Sequence, residues 1–325
     1  MTGYFVEILN LLEESISLTL SYFFNPEKRV YFIYIFSSVI LAYLVYKRTR
    51  IKSSFFNYIF NKKVWWTKSA FVDYSLFFFN SLIKTLFIIP YIFLSLYIAF
   101  YINDFLLQCF GFIKDPLSKT QTIILYTFSL TIINDLFSYL THYLMHNIPF
   151  LWEFHKIHHS ATSLNPITQY RIHPLELVIN NIRSIIVFGI VTGIFDYISS
   201  NQINKLLFLG VNVFSFLFYI LGANLRHSHV KLSYPRILEY FLISPYQHQI
   251  HHSIRKEHYN KNLGSKFAIW DWLFGTLVHS GDKRKIRFGI IDTNQKYNSV
   301  WYNLYAPFKN ISRKIILYFS SKVKS

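Results

Sequence analysis

A single cysteine, Cys109, leaves no partner for an internal disulfide and too few thiolates for a cysteine-built zinc site, and it carries no information about redox compartment. Acidic side chains are scarce as well, 16 against 33 Lys and Arg, for a formal net charge of +17. A nucleic-acid reader would show its basic residues on an otherwise polar face. Here they lie between apolar runs, so nucleic acid is not an expected partner and the charge reads as contact with anionic lipid head groups. The N-terminus lacks an early basic region, and Glu13 and Glu14 interrupt its apolar residues, which argues against a cleaved signal peptide. No repeat at solenoid spacing is present. The paired Glu-x-x-His pattern of ferritin-like di-metal bundles is missing too.

What the chain has in excess is apolar surface: 52% hydrophobic and 20% aromatic residues are too many for an ordinary soluble domain. Residues 1–25, with Glu7, Glu13 and Glu14, suit an interfacial amphipathic helix. Spans are expected at Val30 to Tyr46, Leu86 to Phe110, Gln121 to Leu140, Ile179 to Ile198 and Leu206 to Ala223. The segment after the first carries Lys47, Arg48, Arg50, Lys52, Lys62, Lys63 and Lys68 beside Trp65 and Trp66, which the positive-inside rule assigns to the cytoplasm. By parity, both histidine-rich stretches then face the cytoplasm; a dipping hairpin over Ile179 to Ala223 would leave that side unchanged. The expected fold is an all-α polytopic membrane bundle of about four to five spans, under a cytoplasmic helical cap built from Thr141 to Leu177 and Arg226 to Ser325 and holding a histidine-rich di-metal site. Three parts follow: membrane-anchoring helices over 1–134, a catalytic region over 135–280 and a basic tail over 281–325. The end of the tail, with Arg313, Lys314, Lys322 and Lys324, reads as a surface helix on the membrane.

The histidines are not scattered. Asp135, Tyr139, His142 and His146 are four, three and four apart and share one helical stripe. His155-x-x-His158-His159 follows, and His248-x-x-His251-His252 repeats it, with His227-Ser-His229 upstream. Each triplet is expected to converge on one point. Imidazole binds first-row metals through one nitrogen while the other donates to an oxygen that orients it, so eight of 13 histidines in three such clusters point to metal binding. Eight or nine imidazoles are too many for one ion. Two ions with four or five nitrogen ligands each, and open positions, suit iron that must meet oxygen; a zinc pair is the alternative. Asp135 and Tyr139 lie on the His142 stripe, where Asp135 is expected to accept the outer N–H of an imidazole with Tyr139 as a hydrogen-bond partner, and Asn262 to orient a ligand. His258 and His279 read as surface residues, and His173, beside Arg171 and Glu176, as structural.

Asp135-x-x-x-Tyr139-x-x-His142-x-x-x-His146, Trp152-x-x-His155-x-x-His158-His159-Ser160 and Thr168-x-x-Arg171-x-His173-Pro174-x-Glu176 resemble the fatty acid hydroxylase (sterol desaturase) superfamily of membrane di-iron oxygenases. Pro245-x-x-His248-x-x-His251-His252-Ser253, Asn262-x-Gly264 and Trp270-Asp271-x-x-Phe274-Gly275-Thr276 are similar to its closing signature. The resemblance spans Asp135 to Thr276. It implies His142, His146, His155, His158, His159, His227, His248, His251 and His252 as metal ligands, with His229 ranked below His227 because positions two apart do not share a helix face. It further implies two Fe ions and O2-dependent hydroxylation or desaturation of a bilayer lipid, whether fatty acyl, sterol-like or ether lipid. His-Pro-Gly-Gly is absent, so no fused haem domain is evident and electrons are expected from a separate donor, a ferredoxin- or cytochrome-type reductase; an ether lipid would call for a reduced pterin. A histidine-rich membrane zinc transporter is the alternative class. It would carry histidines within several spans, whereas here they gather at helix ends and in the hydrophilic stretches. Oligomeric state is left open.

Overall fold

The computed structural model describes residues 2–49, 51–200, 203, 207–208, 211–281, 286–291 and 296–322; Arg50, Leu206 and Lys324, used above, lie outside them. Helix α1 (Thr2–Ser21) leads to α2 (Phe32–Arg48), which ends on Lys47 and Arg48, cations suited to its negative dipole end. Short helices α3 (Phe55–Ile59) and α4 (Lys62–Trp65) start at side-chain caps from Ser54 and Asn61. Helix α5 (Lys68–Phe87), capped by Thr67, breaks into a 3-10 turn holding Pro90 before α6 (Leu94–Phe110), because proline removes a backbone donor and clashes with the preceding turn. Helix α6 stops at Gly111 in a left-handed conformation (φ 71°).

Helix α7 (Lys119–Asn147) opens with a capping box between Ser118 and Gln121. Helices α8 (Pro149–His159) and α9 (Pro174–Ser199) each begin with proline at the first turn, where the missing N–H costs nothing. A two-residue antiparallel pair, β1 (Leu207–Phe208) with β2 (Val211–Asn212), precedes α10 (Val213–Ile220). The chain then forms α11 (Pro245–His251), α12 (Ile269–Leu273) and α13 (Val300–Lys322).

Among the described residues three helical segments are long and apolar enough to cross a membrane: Lys68–Phe110, Lys119–Asn147 and Pro174–Ser199. The span expected over Val30 to Tyr46 forms the 17-residue α2. The one expected over Leu206 to Ala223 is not a span-length helix among the described residues, since α10 has 8 residues and follows a β-turn pair. Apolar composition alone did not distinguish a crossing helix from a short one.

Helix α9 is held from both sides. Against α6 it presents Gly189 and Gly193: a Cβ on Gly193 would sit 2.5 Å from the Ala99 carbonyl oxygen, and one on Gly189 2.6 Å from Ile98 Cβ. Small residues four apart let the backbones approach closely, the usual basis of helix pairing in lipid. Asn103 Nδ2 adds a hydrogen bond to Asp196 Oδ2 (2.9 Å). Against α7, the Tyr126 and Thr192 hydroxyls meet at 2.7 Å and Arg183 donates to the Asn134 carbonyl (3.0 Å).

The cap closes on a guanidinium. Arg171, fully buried, donates to Asp73 Oδ1 (3.0 Å) of α5, the Ser69 carbonyl (3.0 Å), Ser160 Oγ (2.9 Å), the Ile157 carbonyl (3.1 Å) and the Tyr297 carbonyl (2.9 Å). A buried charge is tolerated when it is paired and its donors are all satisfied, as here. Helix α13 lies across α8 through Lys314 and Asn310, both 2.8 Å from the Glu153 carboxylate. Gly193→Leu is expected to force α6 and α9 apart, lowering stability by about 1–3 kcal/mol, as read from the thermal unfolding of the detergent-purified protein.

Candidate metal centre

The end of α7, the end of α8, the 3-10 turn Ala223–His227 and α11 bring nine imidazoles together in two groups. His142, His146, His155, His159 and His251 form one; His158, His227, His248 and His252 form the other; within each, one ligand atom per residue lies within 4.8 Å of all the rest. The triplets do not converge as expected. His155 and His159 enter the five-membered group while His158 crosses to the other, and His248 and His252 enter the four-membered group while His251 crosses back. With about 100° per residue, positions i and i+4 nearly eclipse while i+3 points away by roughly 100° from i+4, so each triplet serves both groups.

The outer nitrogens say which lone pairs face inward. Nδ1 of His142 donates to the Leu263 carbonyl (2.7 Å), that of His155 to Glu176 Oε1 (2.9 Å), that of His158 to the Arg171 carbonyl (3.3 Å) and that of His251 to the Lys261 carbonyl (2.9 Å). In the neutral ring each Nε2 then presents a bare lone pair. Yet His142 Nε2 lies 3.0 Å from His155 Nε2, and His227 Nε2 lies 3.2 Å from His158 Nε2 and 3.1 Å from that of His252. The buried Nε2 atoms of His146 and His251 have no hydrogen-bond partner among the described residues. Facing lone pairs repel unless a cation sits between them, so both groups fit a bound metal ion on the chemistry of their donors.

A proton is a poor substitute for that cation. Burial pushes the pKa values of His155, His159, His227, His248, His251 and His252 well below the ordinary histidine range and that of His158 down to about 3, with neighbouring imidazoles adding to the effect. His248 stands apart. Its Nδ1 faces a donor, Arg226 Nη2 (2.7 Å), so a cation at its Nε2 requires this ring to release a proton or Arg226 to turn away.

The residues expected to support the rings act one step further out. Asp135 does not touch an imidazole; its carboxylate accepts from the backbone N–H groups of Lys266 and Phe267 (both 3.0 Å) and from Trp270 Nε1 (3.1 Å). Helical spacing put it on the histidine stripe, but a neighbouring loop takes both of its oxygens. Tyr139 meets Thr276 Oγ1 at 3.0 Å and stacks on Phe274. Asn262, at a left-handed φ of 55°, donates to the Gln247 carbonyl (3.0 Å) and accepts from Val278 N (2.7 Å). It orients rings through its neighbours, since Lys261 and Leu263 supply the carbonyls that take the His251 and His142 protons. Asp271 pins the same loop by accepting from Leu263 N and Gly264 N (both 2.7 Å).

His229 joins neither group; its ring packs edge-on to Tyr58 at 4.8 Å. His173 caps α9 and donates to the Leu304 carbonyl (3.1 Å). His258, expected at the surface, is buried at 3% exposure in a 3-10 turn. His279 is partly exposed beside Glu239 Oε2 (3.4 Å). Glu176 and Arg226 were given no role toward the rings by sequence reasoning. The first was findable, because His173-Pro174-x-Glu176 sets a carboxylate in the opening turn of a helix; nothing in the sequence pairs Arg226 with His248.

Span-length helices, and a pair of imidazole groups at the ends of two of their neighbours and of α7, define a membrane-type helical protein with a histidine-built metal centre. Residues 127–276, which hold every one of the nine imidazoles, match the fatty acid hydroxylase family model. Alkylglycerol monooxygenase of Caenorhabditis elegans is 26% identical over 172 residues, 53% of this chain and 31% of its own length. An ornithine lipid hydroxylase of Rhizobium tropici is 28% identical over 180 residues, 55% of this chain and 49% of its own length. The chain thus spans between 31% and 49% of the length of these curated relatives. No solved structure matches the chain.

Glu176→Gln is expected to weaken metal binding by about 10- to 100-fold through loss of the partner that orients His155, measured by competition with a chromogenic chelator. The metal-free protein should also lose stability as pH falls. Above 6.5, the ordinary histidine value, these rings hold the same protons folded and unfolded; below it only the unfolded rings gain them, because the buried ones titrate lower, and this pulls toward unfolding against the single opposing proton of Glu176, whose carboxyl burial raises to about 8. Melting temperature followed from about pH 8 to about pH 5, with and without added divalent metal, checks this, the metal extending the stable range downward.

Proposed function

We propose that the protein is a membrane lipid oxygenase whose nine imidazoles hold two iron ions, the ligands being His142, His146, His155, His159 and His251 for one and His158, His227, His248 and His252 for the other. The observation that carries this reading is the inward convergence of lone pairs whose outer N–H groups are already spent on carbonyls and on Glu176. When bound, such a metal pair supplies activation of O2 for attack on an unactivated C–H bond, with two electrons and two protons from a separate donor and the second oxygen atom leaving as water.

The chain's own residues do the rest. Lys261, Leu263, Arg171 and Glu176 fix ring orientation, and Asp135, Asn262 and Asp271 hold the loop that carries two of those acceptors. Trp152 flanks the five-membered group, 5.1 Å from the His146 ring and 5.5 Å from that of His159, and lines with them and His251 a cavity of about 410 Å³. The hydroxylase region is taken as 135–280, between the anchoring helices 1–134 and the tail 281–325. The centre is assigned to the cytoplasmic side. The basic segment around Lys62, Lys63 and Lys68 packs beside the cap, where Thr67 Oγ1 and Ser163 Oγ lie 2.9 Å apart, and positive charge favours that side.

The purified protein, reconstituted with ferrous iron and given a reductant, should consume O2 only when a lipid is present. His155→Ala and His251→Ala should each abolish turnover and lower bound metal, whereas His279→Ala keeps both. Full activity of either of the first two variants would sink the ligand assignment.

A further inference from the structure

We propose that the substrate lipid carries an anionic group, phosphate or carboxylate, held in a cation-lined cavity next to the one that faces the imidazoles; the proposal rests on the oxygenase reading above. A cavity of about 280 Å³ lies between the connection of α1 to α2, α5 and the turn Pro166–Tyr170, and Lys28, Arg29 and Lys84 line it against one carboxylate, Glu27. Among the described residues none of the three cations forms an ion pair. They are positioned by aromatic groups instead. Lys84 donates to the Tyr22 hydroxyl (2.7 Å), the ammonium groups of Lys28 and Lys84 each lie 5.1 Å from the Tyr22 ring centre, and the Arg29 guanidinium lies 6.0 Å from that of Tyr219. Cations held in this way, partly out of water and without a counter-charge, are arranged for an incoming anion.

A second cavity, of about 210 Å³, lies against His142, His155, His158 and His227 and shares Arg29, Gln169 and Ile172 with the first. The two are therefore neighbours across a common wall of three residues. On the other flank, Phe137, Ile182, Ile186 and Ile190 line an apolar groove of about 450 Å³ between α7 and α9. Ser138 and Asn180, each one residue from a groove-lining side chain, line the histidine cavity. Apolar groove, imidazoles and cations thus follow one another, the order of an acyl or alkyl chain, a reacting carbon and a charged head. That order places the oxidised carbon near the anionic end of the lipid and not at the far end of its chain.

The test uses the full chain in a neutral maltoside detergent with dodecyl phosphate, dodecanol and inorganic phosphate as probes, and retained ligand is read by native mass spectrometry. Dodecyl phosphate should bind at least about tenfold tighter than either of the others, and Lys28→Gln and Arg29→Gln should each weaken it roughly tenfold, the worth of one charge-assisted hydrogen bond. Lys62→Gln, a surface cation away from the cavity, should bind as the unaltered chain does. Equal retention of dodecanol, or an equal loss in Lys62→Gln, overturns the proposal; inorganic phosphate binding as tightly as the alkyl phosphate makes the cavity a free-anion site and overturns it too. No iron or reductant enters this experiment, so a failure of the oxygenase reading, seen as no O2 consumption with any lipid, is told apart from a failure here. With the loaded protein, alkyl phosphates of increasing length should be oxidised at a constant distance from phosphorus.

Discussion

Lone pairs that face one another across about 3 Å are an electrostatic conflict, and the rest of this structure serves to maintain it. Left alone, imidazoles turn so that an N–H meets a nitrogen acceptor, or take up a proton. Here the outer N–H groups of His142, His155, His158 and His251 are committed to fixed oxygens, which prevents the turn. Burial among other imidazoles suppresses protonation. What relieves the repulsion is a cation, and the stability lost in building the apo site is recovered when one binds.

Besides the Glu176 carboxylate in the opening turn of α9, those fixed oxygens come from two devices. One is the loop through Lys261 and Leu263, tied down by Asn262 from within and by Asp135 and Asp271 from either side. The other is Arg171, whose carbonyl takes the His158 proton while its guanidinium joins α5, α8 and the segment ahead of α13. Polar residues that recur with the histidines in the motif are therefore joinery around the metal centre. Asp135, Asn262 and Asp271 act on rings that they do not touch, through the loop that carries the acceptors.

Much of this was legible in the chain. Helix starts at Ser118, Pro149, Pro174 and Ser244 follow from local capping chemistry, and the nine histidines singled out by spacing and resemblance are those that the fold gathers. Three readings went astray for identifiable reasons. Apolar content over 206–223 suggested a crossing where a short helix follows a strand pair. A shared stripe suggested that Asp135 supports an imidazole, and His258 was read as a surface residue. For Asp135 the deciding partners, Lys266 and Phe267, lie far away in the sequence.

By itself the sequence determined the residue types, their helical phase and the apolar lengths, because these depend only on neighbours within a turn or two. Tertiary structure alone decided how nine rings divide into five and four, which carbonyl receives each outer proton, and that Arg226 rather than an oxygen faces His248. Those choices depend on where α7, α8 and α11 end relative to one another. Such relative placement is set by packing between segments more than a hundred residues apart, such as Asp135 with Lys266 and Arg171 with Tyr297, and no local pattern encodes it.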